Sequence, residues 1–109
     1  GRHLGGVICP GLQLMKQALS AGTEALGHSW KHYDVGLANA TESAIYTGTL
    51  YAAAGLIEKS IADFCSCQTI VLTGGDAELI SSYLNLDCII DPRFILKGLS
   101  LYCKEGEIK

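Results

Sequence analysis

Clustered lysine and arginine are missing from this sequence. Its 8 Lys and Arg stand against 11 Asp and Glu, for a formal charge of -3. Neutralising a nucleic-acid backbone takes a basic patch that no segment supplies, so no nucleic-acid partner is expected. Long apolar runs are also lacking: the longest, around Leu50 to Ile57, is broken by Gly55 and ends in Glu58 and Lys59. That is well short of the roughly 20 residues a membrane-spanning helix requires, so no membrane partner is expected either. There are no repeats, no low-complexity tract and no Pro-, Gly- or Ser-rich linker, which predicts one organised unit. No signal-peptide pattern follows Gly1, and the expected location is the cytoplasm.

Charge of either sign is scarce, at 17% of residues against 49% hydrophobic. A chain of 109 residues has room for one core, and this little polar surface suits a piece of a larger fold, a subunit with one face buried in a partner, or a compact two-layer domain. The five cysteines, Cys9, Cys65, Cys67, Cys88 and Cys103, are odd in number and scattered through apolar contexts, as reduced core thiols are. Cys65-Ser66-Cys67 lacks the second pair that a tetrahedral zinc site would need. Asn39-Ala40-Thr41 fits a glycosylation sequon, a pattern with chemical meaning only in secreted proteins.

Along the chain, Gly6-Val7-Ile8-Cys9 reads as a short buried strand closed by the Pro10-Gly11 turn. Leu12, Met15, Leu19 and Leu26 then form the apolar stripe of a helix. From Gly27 to Leu37 no periodicity holds, and His28, Trp30, His32 and Tyr33 sit in what reads as a long connection. Asn39 with Glu42 suggests a capping box, opening a helix that is apolar nearly all round and carries small Gly48, Ala52 and Gly55. It is expected to be the buried spine. Thr69 to Thr73 is a β-branched strand ended by Gly74-Gly75, with Asp76 capping a helix through about Leu84. Leu86 to Ile90 gives another strand, and Asp91-Pro92 starts a final helix through about Cys103. Strands alternating with helices in this way predict an α/β sheet covered by helices, with Val7, Ile8, Ile70 to Leu72 and Ile89 in one sheet.

One local motif could carry chemistry. The glycines of Thr73-Gly74-Gly75-Asp76-Ala77 would let a ligand approach the backbone at a helix start, or they simply serve a strand-to-helix turn. His3, His28 and His32 have no assignable role.

Taken in order, residues 1 to 19, with their Gly5-Gly6-Val7-Ile8-Cys9-Pro10-Gly11, then Thr41-Glu42-Ser43-Ala44-Ile45 with Gly48, then Leu72-Thr73-Gly74-Gly75-Asp76-Ala77, then Ile95-Leu96-Lys97-Gly98-Leu99, resemble the type III pantothenate kinases, also called Bvg accessory factors. The resemblance covers essentially the whole chain. It implies a ribonuclease-H-like domain of the acetate kinase, sugar kinase, heat-shock chaperone and actin superfamily, here residues 1–109 as an incomplete second domain lacking its first strands. It also implies ATP-dependent phosphorylation of pantothenate, the first step of coenzyme A biosynthesis, with ATP, Mg2+ and a monovalent cation (K+ or NH4+) as cofactors and a homodimer as the assembly. By the same resemblance Thr41 contacts pantothenate and Gly74, Gly75 and Asp76 lie near the adenosine, although the Asn-Thr or Ser-Thr pair common at that place is Ala40-Thr41 here. The phosphate loop and the Asp general base of such enzymes have no counterpart in this sequence, so no catalytic or metal-binding residue is expected in it. Alternative expectations are a non-catalytic regulatory or interaction protein and a sugar kinase of the same superfamily.

Overall fold

The computed structural model describes residues 3–20, 32–66 and 69–108, with 102–108 by backbone alone. Chain order is α1 (Leu12–Ser20), α2 (Thr41–Phe64), β1 (Val71–Leu72), α3 (Ala77–Ser81), β2 (Ile89–Ile90) and α4 (Phe94–Ile108). The result is a mixed helix and strand fold of the α/β kind, whose contacts divide into two compact units, Gly1–Ala53 and Ala54–Lys109. Leu26, His28, Trp30 and Cys67, all weighed in the sequence, lie outside the described residues.

In the first unit the expected strand at Val7 and Ile8 does not form: that segment is irregular and Ile8 is 100% exposed. A strand exists only by pairing, and no other strand is described in this unit to give these residues a ladder. Past the Pro10 turn, the Gly11 carbonyl accepts the Met15 N–H at 3.0 Å and α1 begins, with Leu12 buried and Leu19 left open. α2 begins when the Ala40 carbonyl accepts the Ala44 N–H at 3.0 Å. The expected capping box is absent, and the Glu42 carboxylate instead accepts the Tyr33 hydroxyl at 2.6 Å.

Burial on α2 is one-sided rather than the all-round burial its composition suggested. Tyr46, Thr49 and Leu50 are buried in the first unit, Leu50 with 0% exposure, while Ala44, Gly48 and Tyr51 are open. Spacings of three and four place the buried residues on a single stripe. The buried Thr49 hydroxyl stays paired, 2.9 Å from the Ile45 carbonyl and 3.1 Å from that of Tyr46.

The second unit holds the sheet. β1 and β2 pair in parallel with Val71 opposite Ile89 and Leu72 opposite Ile90, and the ladder is extended by Ile89 N–H to the Ile70 carbonyl at 2.8 Å and Asp91 N–H to that of Leu72 at 2.9 Å. Parallel neighbours need a crossover, which α3 and its flanking turns supply. α3 is shorter than expected: beyond Ser81 the bonds Tyr83 N–H to Ile80 and Leu84 N–H to Ser81 tighten to the three-residue spacing and close it. Asp91 caps the start of α4 as expected, its Oδ1 accepting the Arg93 N–H at 3.0 Å, but Pro92 and Arg93 form a turn and the regular helix runs from Phe94. Ala54, Ala77 and Leu84 are buried here, and Glu58 Oε1 accepts the Asn85 N–H at 3.2 Å.

Candidate functional site

A concavity of about 720 Å³ lies in the first unit, between α1 and the start of α2. Pro10, Leu14, Met15, Ala18 and Leu19 form one wall, and Ala38 to Thr41, Ala44, Ile45, Gly48 and Thr49 form the other. An open apolar groove with few polar groups is the usual character of a small-molecule site. Thr41, singled out in the sequence, stands at its rim at the first helical position of α2. Gly48 is informative in a different way. Glycine inside a helix costs about 1 kcal/mol relative to alanine, yet a Cβ there would meet nothing within 4 Å. Packing among the described residues therefore does not require it, and its effect is to keep the groove wall low.

The segment before the groove wall makes a second set of contacts with α2 that the sequence did not reveal. Tyr33 Oη donates to Glu42 Oε2 at 2.6 Å, His32 Nδ1 lies 3.0 Å from the Tyr46 hydroxyl, and the Gly36 N–H donates to Thr47 Oγ1 at 3.1 Å. The Tyr33 and Tyr46 rings meet edge to face at 5.8 Å, and Lys16 Nζ of α1 sits 5.1 Å from the Tyr46 ring centroid. His32 thus acquires a partner that sequence reasoning could not give it. The one available signal was the crowding of rings into an aperiodic connection, which marks a segment held by something without saying by what.

In the second unit, Gly74, Gly75 and Asp76 form an exposed turn between β1 and α3. Gly74 has φ of 104°, a conformation that side-chain-bearing residues avoid, so the fold alone requires glycine there. At Gly75 φ is not positive and a Cβ would meet nothing within 4 Å. Among the described residues nothing crowds that position, which leaves its backbone approachable. The expected cap by Asp76 is not made: its side chain forms no capping hydrogen bond, and the Ala77 N–H is taken by the Gly74 carbonyl at 3.3 Å. A five-residue helix whose first amide is already engaged offers little to an anion, so backbone access and not a helix dipole is what this turn can provide. Thr41 belongs to the first unit and the glycine turn to the second.

Farther along, Asp91 Oδ2 receives Lys97 Nζ at 2.7 Å. That bond, with the Arg93 amide on the other oxygen, holds the carboxyl below its ordinary value of 3.8. Among the described residues no group of three or more His, Cys, Asp or Glu is placed to hold a metal ion, and no helix is long and apolar enough to cross a membrane.

Comparison with known proteins gives these features a context. A profile of the family "Type III pantothenate kinase" matches residues 1–63, which takes in α1, the groove and nearly all of α2. Proteins named type III pantothenate kinase are similar over almost the whole chain. That of Laribacter hongkongensis is 37% identical over 92% of this chain and 43% of its own length. Those of Pseudomonas aeruginosa and Nitrosomonas eutropha are 35% and 33% identical, over 94% and 97% of this chain and 45% and 44% of their own lengths. The chain thus spans less than half of the curated relatives it matches. On the match to more than half of its residues, it belongs to the type III pantothenate kinase family.

Proposed function

We propose that this chain is the substrate-positioning part of an enzyme that transfers the ATP γ-phosphoryl group to the primary hydroxyl of pantothenate. The observation that carries the proposal is the apolar groove with Thr41 at its rim, inside the region that matches the family profile. Pantothenate pairs a hydrocarbon body with a few hydroxyl, amide and carboxylate groups, and a groove of this character suits such a molecule. Thr41 supplies a hydroxyl at the rim, and the bare stretch at Gly48 leaves room for the body. The Gly74-Gly75-Asp76 turn takes the adenosine side of ATP through its open backbone.

Phosphoryl transfer is catalysed mainly by positioning and by charge stabilisation. Mg2+ and a monovalent cation would supply the charge stabilisation in the longer protein, together with the carboxylate that takes the hydroxyl proton. The role proposed for this chain is binding and orientation. A ribonuclease-H-like second domain, a homodimer and a cytoplasmic location complete the proposal.

The test is product formation by the full-length protein that carries this chain. With ATP and pantothenate it should yield phosphopantothenate and ADP, and with hexoses in place of pantothenate it should yield neither a sugar phosphate nor ADP above background. Hexose phosphorylation would move the chain to a sugar kinase. Turnover of no substrate by a folded full-length protein would favour the regulatory reading.

A further inference from the structure

The segment at residues 32–36 is fixed to α2 at Glu42, Tyr46 and Thr47. At about 100° of rotation per residue, those three positions lie on one side of the helix, whereas the groove residues Thr41, Ala44, Ile45 and Gly48 lie on the other, with Thr49 of the groove wall at the boundary beside Glu42. Two residues after the last of these anchors the chain re-emerges as the groove wall, at Ala38, Asn39 and Ala40, and passes straight into Thr41. The 2.6 Å bond from Tyr33 to Glu42 is the anchor nearest to that first turn. Glu42 is half-buried, so its bond is less screened than one at an open surface.

We propose that the Tyr33–Glu42 hydrogen bond is a positioning clasp, which grips the back of the first turn of α2 so that Thr41 and the wall at residues 38–40 hold the spacing the substrate needs. Tyr33 and Glu42 touch no substrate themselves and act through Thr41. The clasp deepens the pantothenate reading and rests on it. A first turn is where a helix frays, since its amides lack partners within the helix. The capping box that would normally steady this end is absent, and the bond that Glu42 makes is to Tyr33. The helix start therefore depends on a residue nine positions upstream.

The experiment measures steady-state kinetics of the full-length protein in four single variants and one double. Tyr33→Phe and Glu42→Ala should each raise the pantothenate KM roughly threefold to tenfold, leave the ATP KM unchanged, and not add in the double variant. Glu42→Gln keeps an acceptor oxygen for the tyrosine and should stay near the parent value. Thr41→Val, in the same assay, reports on the site itself. If Thr41→Val raises the pantothenate KM while Tyr33→Phe and Glu42→Ala do not, the clasp is overturned and the site stands. If Thr41→Val has no effect, the site reading fails first and takes the clasp with it. A lower melting temperature at unchanged KM in the clasp variants would make the bond merely structural and overturns the proposal. Should Tyr33→Phe fail to fold, the contrast between Glu42→Ala and Glu42→Gln decides by the same criteria.

Discussion

Single side chains here are set by partners that lie far apart in sequence. Asp91 was legible as a helix-start residue, but its link to Lys97 was not, because the helix begins later than the proline implied and brings position 97 back over the carboxylate. The consequence is a pH dependence whose sign follows from the lowered pKa. Stability from this carboxylate is fully present above its unfolded value of 3.8 and is lost as pH falls through the lower folded value. Titration of the Asp91 carboxyl by NMR should therefore give a midpoint below 3.8, and Lys97→Met should return it upward. An unchanged midpoint in that variant would mean that the lysine bond is not the cause. The same distance in sequence hid the Tyr33–Glu42 and His32–Tyr46 pairs: the rings were visible, but a connection without periodicity carries no register from which to deduce what each ring touches.

Whole elements were easier to read than their ends or their environments. α1, α2, β1, α3, β2 and α4 occur in the order that apolar periodicity and the Gly and Pro punctuation predicted, because those signals are local. Val7 and Ile8 failed as a strand because pairing is not local, and α2 kept one face open because composition does not state what will cover a helix. Gly48 on that open face separates folding from binding. Gly48→Ala should stabilise α2 by about 0.5–1 kcal/mol through helix propensity, since the added methyl meets nothing within 4 Å. It should also raise the pantothenate KM by narrowing the groove, so the melting temperature and the KM should rise together. A higher melting temperature with an unaltered KM would remove position 48 from the substrate's path. Stabilisation bought at the expense of a binding site is a common pattern at such positions.

At the scale of the molecule, the scarcity of charge has a visible counterpart. Ile89, Phe94, Ile95, Leu96, Leu99 and Leu101 of β2 and α4 are all exposed, as are Val7, Ile8 and Tyr51. Apolar surface on this scale marks faces meant for other protein. Relatives more than twice the length of this chain and a homodimer are the two sources of cover the account proposes. The full-length protein should accordingly sediment as a dimer at micromolar concentration, and a monomer there would contradict the proposed homodimer.

The central claim is that the groove at the start of α2 holds pantothenate through Thr41. The measurement that tests it most directly is the pantothenate KM of Thr41→Val in the full-length protein. Losing one neutral hydrogen bond should raise that KM roughly threefold to tenfold and leave the ATP KM where it was. Valine keeps the shape of threonine, so an equal loss of both KM values would point to a damaged fold. A pantothenate KM identical to that of the parent would contradict the account and reduce Thr41 to the first residue of a helix.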